Sequence, residues 1–292
     1  MGRVKTAGRQ MEFLTLSKSM ELLRSRDINI RKHLGQHFLI DRNCRDKILS
    51  FADFNEGDTV VEIGPGLGAL TDGFVEKVKD VYAFEIDPAF CEILRERFAG
   101  FGNFHLMEKD FLEIPGEWWD RLPGRVKVIG NTPYYISSPI VFRILELRRK
   151  VGLALLTVQK EVGERFTAVH GNKNYGAISV LMSIYADAKI CYSLKRDVFF
   201  PRPEVSSVVV KIVPLENPEI DMANEKKFWE FLPLIFSFRR KKVSNVVNKI
   251  FKVEKKAFIR ALENEDISPD ERAEDLSPEK IYRIFRIINP TS

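Results

Sequence analysis

The sequence predicts an α/β fold: a mostly parallel seven-stranded sheet with helices on both faces, followed by a small all-helical domain. Three observations carry that expectation. Short apolar runs of strand length alternate with helix-length segments from Asp58 to about Pro214, the rhythm of successive βα units. The stretch from Pro214 to Asn224, which contains Pro214 and Pro218, reads as a linker. Beyond it only helical periodicity remains, over 226–236, 241–251, 254–262 and 278–287. On this reading residues 1–26 form a basic leader, 27–214 the sheet domain and 215–292 the helical domain.

Thr59–Ile63 reads as a buried strand, Ala69–Lys79 as a helix and Val81–Ile86 as the next strand. Asp87 then caps a helix that has Pro88 at its first position, where a missing N–H costs nothing. Phe104–Met107 and Val126–Ile129 are further strands, ending near Asp110 and Asn131. Leu153–Val158 makes a fifth strand and Tyr175–Tyr185 a helix. Ala188–Leu194 and Val205–Val213 complete the sheet as an antiparallel pair, joined by a loop that holds Phe199–Pro203. In an open parallel sheet the ligand crevice lies outside the carboxyl ends of the strands, so Gly64, Glu85, Asp110 and Asn131 converge there.

With 292 residues, 45% of them hydrophobic, the chain has enough apolar material for a sizeable core. Its formal net charge of +5 is modest, but the excess is concentrated. Basic residues crowd 239–260, opposed only by Glu254, and 261–280 is mostly acidic. Such block asymmetry points to a polyanion on one surface, with Arg239, Arg240, Lys241 and Lys242 as phosphate contacts. Three scattered cysteines suit a reducing compartment rather than a disulfide framework. His33 and His37 share a helical spacing but have only Asp41 nearby, so no metal site is expected. No signal peptide or membrane span is legible, and a monomer in the cytoplasm is the expectation.

Glu62-Ile-Gly64-Pro-Gly66-Leu-Gly68 follows a strand and opens a helix, where glycines let the backbone approach a ligand closely. Glu85 ends the next strand roughly twenty residues on, placed to accept from two ribose hydroxyls. Asp110 can accept from an adenine amine. Gly64, Gly66 and Ala69 equally satisfy the pattern of a nicotinamide dinucleotide site, so these residues alone leave that alternative open.

Asn131-Thr132-Pro133-Tyr134 separates the two. An adenine amine is a poor nucleophile because its lone pair is delocalised into the ring. The Asn131 side-chain oxygen and the Thr132 carbonyl can accept both amine hydrogens and aim the nitrogen, while Tyr134 stacks on the base and Pro133 stiffens the turn. Phe199 closes the other face of the base, and Phe200 packs in the core. The pattern implies methyl transfer to adenine N6 from S-adenosylmethionine, mostly by positioning and electrostatics.

These motifs resemble the KsgA-type dimethyladenosine transferases of small-subunit ribosomal RNA. The resemblance runs from about Lys32 to Ser277 and also takes in Leu34-Gly-Gln-His-Phe-Leu-Ile-Asp41, Phe199-x-Pro-x-Pro-x-Val-x-Ser207, Phe236-Ser-x-Arg-Arg-Lys241 and Arg272-Ala-Glu-x-Leu-Ser277. It implies a Rossmann-like methyltransferase fold that binds S-adenosylmethionine through His37, Leu39, Gly64, Glu85, Asp110 and Asn131. It further implies dimethylation of N6 on two adjacent adenosines near the RNA's 3′ end, within a pre-ribosomal small subunit. His37 stands where the family usually has Asn, and Thr132 where it usually has Leu, which bears on the balance of mono- and dimethyl product. Related alternatives are a large-subunit adenine methyltransferase of the antibiotic-resistance type and a ribosome assembly factor that does not catalyse.

Overall fold

The computed structural model describes residues 13–28, 30, 36–218, 224–239 and 241–289. They divide into two compact units, one taking the described residues up to Gly163 with Lys189–Pro214, the other Glu164–Ala188 with the residues from Leu215 on. The break at Pro214 falls at the expected linker. Glu164–Ala188, read from sequence as part of the sheet domain, clusters with the helical unit.

The strands are β1 (Phe38–Leu39), β2 (Thr59–Ile63), β3 (Asp80–Phe84), β4 (Phe104–Met107), β5 (Val126–Asn131), β6 (Val151–Gln159), β7 (Ala186–Leu194), β8 (Phe199–Phe200) and β9 (Ser207–Pro214). Seven of them form one sheet in the order β4-β3-β2-β5-β6-β9-β7. The pairings β3–β4, β2–β3, β2–β5 and β5–β6 are parallel, and β6–β9 is antiparallel. The chain winds outward from β2 to β4, then returns to β5 beside β2, so the winding direction reverses between β2 and β5. That reversal opens a crevice at their carboxyl ends. β2 is buried along its whole length, Glu62 included, and β5 at all but Lys127 and Asn131, as central strands covered on both faces are.

Two elements differ from the sequence reading. The helix expected over 69–79 is short: Thr71–Phe74 continues only as a 3₁₀ turn, Val75–Lys77. A Cβ at Gly73 would lie 2.3 Å from Leu49 Cδ1, so this segment is pressed against its neighbour. The leader is not merely basic, since Leu16–Ser25 is an α-helix. The helix Pro88–Arg97 starts as its sequence requires, with Asp87 Oδ1 accepting from Ala89 N at 3.1 Å.

The second unit is built from the helices Ala177–Tyr185, Glu225–Phe236, Val243–Phe251, Lys255–Asn264 and Pro278–Ile288. Phe228, Phe231 and Phe285 form its aromatic core, with ring centroids 5.2–5.5 Å apart about Phe285. The buried Tyr175 hydroxyl donates to the Leu276 carbonyl at 3.0 Å, which satisfies the one polar atom that its burial would strand. Among the described residues no helix is long and apolar enough to cross a membrane, and no group of three or more His, Cys, Asp or Glu could hold a metal ion.

Candidate active site

A cleft of about 240 Å³ opens at the carboxyl ends of β2–β5, lined among others by His37, Gly64, Glu85, Asp110, Asn131 and Pro133. A single water needs on the order of 10–15 Å³ of such space. The cleft is therefore sized for an organic ligand, and four strand ends and the segment ahead of β1 contribute to it.

On one side the glycine loop turns through the left-handed region, with φ of 62° at Gly64, 55° at Gly66 and 79° at Gly68. A Cβ at Gly68 would stand 2.6 Å from the Phe98 ring, so close helix packing as well as backbone conformation demands glycine there. The turn aims Gly66 N at Glu85 Oε2, 3.1 Å away, while Ile86 N and Asp87 N donate to Oε1 at 2.8 and 3.0 Å. Burial pushes the Glu85 carboxyl above its ordinary range, and these three backbone amides oppose that shift by favouring the carboxylate. Oε1 is filled by its two amides, and Oε2, which accepts only one, keeps capacity for a ligand hydroxyl. Asp110 holds its loop by accepting from Leu112 N at 2.9 Å through Oδ1, which leaves Oδ2 to face a ligand.

Beneath the loop lies Glu62, which sequence reasoning treated only as part of a motif. It is buried at the cleft floor and accepts from the Thr71 hydroxyl at 2.6 Å. Burial, reinforced by the nearby Asp72 and Glu85 charges, pushes it up to about 8. Asp72 is itself held between the guanidinium groups of Arg45 and Arg97.

On the other side Asn131 ends β5. Its Nδ2 donates to the His37 carbonyl at 2.6 Å, which ties the β5 end to the segment ahead of β1. The opposite amide orientation would set two oxygens against each other at that distance, so Oδ1 is the atom left for a ligand. His37 Nδ1 lies 2.6 Å from the Pro201 carbonyl and therefore carries the proton that it donates. The His37 and Tyr134 ring centroids are 5.4 Å apart. Tyr134 is half-buried, and its hydroxyl is 2.7 Å from the buried Ser207 Oγ; burial raises its phenol above the ordinary range. β1 and β8 pair antiparallel, Phe38 with Phe200 and Leu39 with Phe199. This two-residue ladder joins the two motif loops.

Leu39 and Gly66 also line the cleft, so His37, Leu39, Gly64, Gly66, Glu85, Asp110 and Asn131 are brought together. Two expectations need correction. Phe199, expected to close over a base, is 3% exposed and packs with Leu39 in the hydrophobic core. Adjacent strand residues point to opposite sides, which sends Phe199 inward and leaves Phe200 half-buried against Phe38 and Phe90. The Thr132 side chain, expected in the wall beside the amine, turns back instead and donates to the Thr157 carbonyl at 3.1 Å. Of the basic quartet, Arg240 lies outside the described residues. Arg239 is engaged by Glu274 at 3.1 Å and Lys242 by Asp270 at 2.8 Å, and Lys241 is exposed.

Residues 27–290 match the family described as ribosomal RNA adenine dimethylase. The chain belongs to that family. A ribosomal RNA small subunit methyltransferase A from Halothermothrix orenii is 38% identical over 265 residues, covering 88% of this chain and 87% of its own. Among solved structures, a dimethyladenosine transferase from Plasmodium falciparum is 26% identical with a TM-score of 0.75, covering 85% of this chain and 96% of that one. The 23S rRNA methyltransferase ErmE, at 24% identity and a TM-score of 0.66 over 86% of this chain and 99% of its own, shares the fold. The dimethylase is thus an enzyme that methylates ribosomal RNA adenine with S-adenosylmethionine as methyl donor, as its motifs lead one to expect.

Proposed function

We propose that this dimethylase acts on N6 of two adjacent adenosines near the 3′ end of small-subunit ribosomal RNA, within a pre-ribosomal small subunit. The observation that carries this reading is the Asn131 amide. One of its two N–H bonds is held by the His37 carbonyl, which fixes the amide so that Oδ1 cannot exchange places with Nδ2, in the cavity that also holds Glu85 and Asp110. The small-subunit assignment draws support from the H. orenii relative, whose name carries it. The same reading makes the protein a cytoplasmic monomer.

The donor set fits S-adenosylmethionine. Glu85 accepts from a ribose hydroxyl, Asp110 from the adenine amine, and the Gly64–Gly66 backbone and Leu39 form the walls. When bound, this cofactor supplies an electrophilic methyl on a sulfonium. The target base is served by the remaining residues. Asn131 Oδ1 and the Thr132 carbonyl accept the two amine hydrogens, which localises the nitrogen lone pair and aims it into the cleft. The Thr132 peptide cannot drift, because its N–H and its hydroxyl both bond the Thr157 carbonyl, at 3.3 and 3.1 Å. Tyr134 is the stacking platform, and its bond with Ser207 fixes the ring. The amine becomes acidic as it is alkylated, so a proton leaves through Oδ1 to solvent without a strong base. In the second unit, Arg239–Lys242 contact RNA phosphates and position the substrate without reading its sequence.

The deciding experiment incubates the enzyme with labelled S-adenosylmethionine and unmethylated small or large ribosomal subunits, then maps modified nucleotides. Label is expected only on small subunits, as N6,N6-dimethyl groups on two neighbouring adenosines. Label confined to large subunits, or monomethyl product alone, overturns the assignment.

A further inference from the structure

The family match begins at residue 27, yet the chain just before it is folded onto the back of the cofactor cleft. Leu23 is 4% exposed and shares one buried cluster with Phe38, Leu67, Phe90 and Ile93, against which Leu14, Leu22 and Ile28 also pack. Three members of that cluster, Phe38, Leu67 and Phe90, line the cleft on their other side. Phe38 meets Phe90 edge to face at 5.3 Å, and its ring stands 3.0 Å from where a Cβ on Gly66 would lie. Gly66 is the residue whose amide holds Glu85.

Polar contacts anchor the same segment at both ends. Arg26 pairs with Glu96 on the helix Pro88–Arg97. At the other end the Arg45 guanidinium lies 4.9 Å from the centroid of the buried Phe13 ring while it also pairs with Asp72. None of Phe13, Leu23 or Arg26 lines the cleft. A packed interior transmits displacement rather than absorbing it, so what sits behind Phe38 and Phe90 sets where their front faces stand.

We infer that residues 13–28 are a positioning element for the cofactor, holding the Phe38–Phe90 wall and the Gly66 turn at the spacing the donor needs. The inference rests on the cofactor-binding roles proposed above and assigns them a support that lies mostly ahead of the family match.

The test titrates S-adenosylhomocysteine calorimetrically into the full chain, a chain lacking residues 1–26, Leu23→Ala, Leu23→Met, and Leu16→Ala as a control on the helix's exposed side. Removing the leader should raise Kd about tenfold, within the usual span of coupling between sites. Leu23→Ala should raise it several-fold, Leu23→Met should restore it, and KM for the cofactor should rise while kcat at saturation holds. A lower Tm with unchanged Kd and KM makes the helix merely structural and overturns the inference. Should the truncated chain not fold, coupling is read in the intact protein. Because coupling is reciprocal, the bound ligand must slow amide exchange in Leu16–Ser25 about tenfold beyond any change in Glu225–Phe236. Equal changes in both helices overturn it. A full chain that binds no S-adenosylhomocysteine defeats the cofactor reading itself, whereas a full chain that binds with unchanged variants defeats only the leader's role.

Discussion

The cleft and the basic stretch of the second unit use the same chemistry, charge and hydrogen bond, in opposite solvents. In the cleft, Glu85 is 7% exposed and its oxygens are held by three backbone amides. In the basic stretch, the Lys242 and Asp270 side chains form an ion pair while 53% and 68% exposed. Buried groups with fixed partners act through geometry, and their loss strands a partner. Exposed ion pairs contribute little each and are screened by salt. Damage to the first region should therefore appear in turnover, and damage to the second in RNA affinity.

The largest effect should break the comparison if it is wrong. Asn131→Ala removes both the acceptor and the tie to His37, and methyl incorporation should fall on the order of 10²–10³-fold, the scale for deleting one preorganised group. Filter binding of ribosomal RNA should change less than about twofold. Equal losses in both assays would erase the distinction between the regions.

A smaller effect sharpens it from the other side. Replacing Lys241 and Lys242 together by Ala should weaken RNA binding several-fold at physiological salt and lower the slope of log K against log salt by about one for each phosphate left without its lysine. Single-turnover rates at saturating RNA should not move. A reduced rate with an unchanged salt slope would place these lysines in the chemistry instead.

The smallest effect tests burial itself. The carboxyl of Glu62, raised from 4.5 to about 8, adds stability that is fully present below pH 4.5 and is lost as pH rises through 8. Glu62→Gln keeps an acceptor for the Thr71 hydroxyl and cannot ionise. Its Tm should match the wild type near pH 4 and exceed it increasingly as pH rises toward 9. A variant less stable than the wild type at pH 9 would show that the fold does not raise the Glu62 carboxyl.

How much of this was legible depended on how each feature is encoded. Thr59–Ile63 and Phe104–Met107 have the bounds read from sequence, because short, mostly apolar segments between polar ends mark strands. The converging Gly64, Glu85, Asp110 and Asn131 followed from strand-end position alone. β1 and β8 were not legible, since two residues carry no periodicity, and the same ladder decides that Phe199 turns inward. The direction of the Thr132 side chain depends on a carbonyl in β6, residue 157, which no local pattern announces. The helix Leu16–Ser25 was masked by its charged residues, because its buried contacts come from a few positions such as Ser19 and Leu23.

The bond between Asn131 Nδ2 and the His37 carbonyl also limits which purines are accepted. An amide free to rotate could greet either an amino or a keto substituent by exchanging its two ends. Pinned through one Nδ2–H, this one cannot exchange its ends, so a guanine or hypoxanthine meeting Oδ1 would bring its own 6-oxo lone pairs against those of the side chain. Recognition of an amino purine is then written into the enzyme before any RNA arrives.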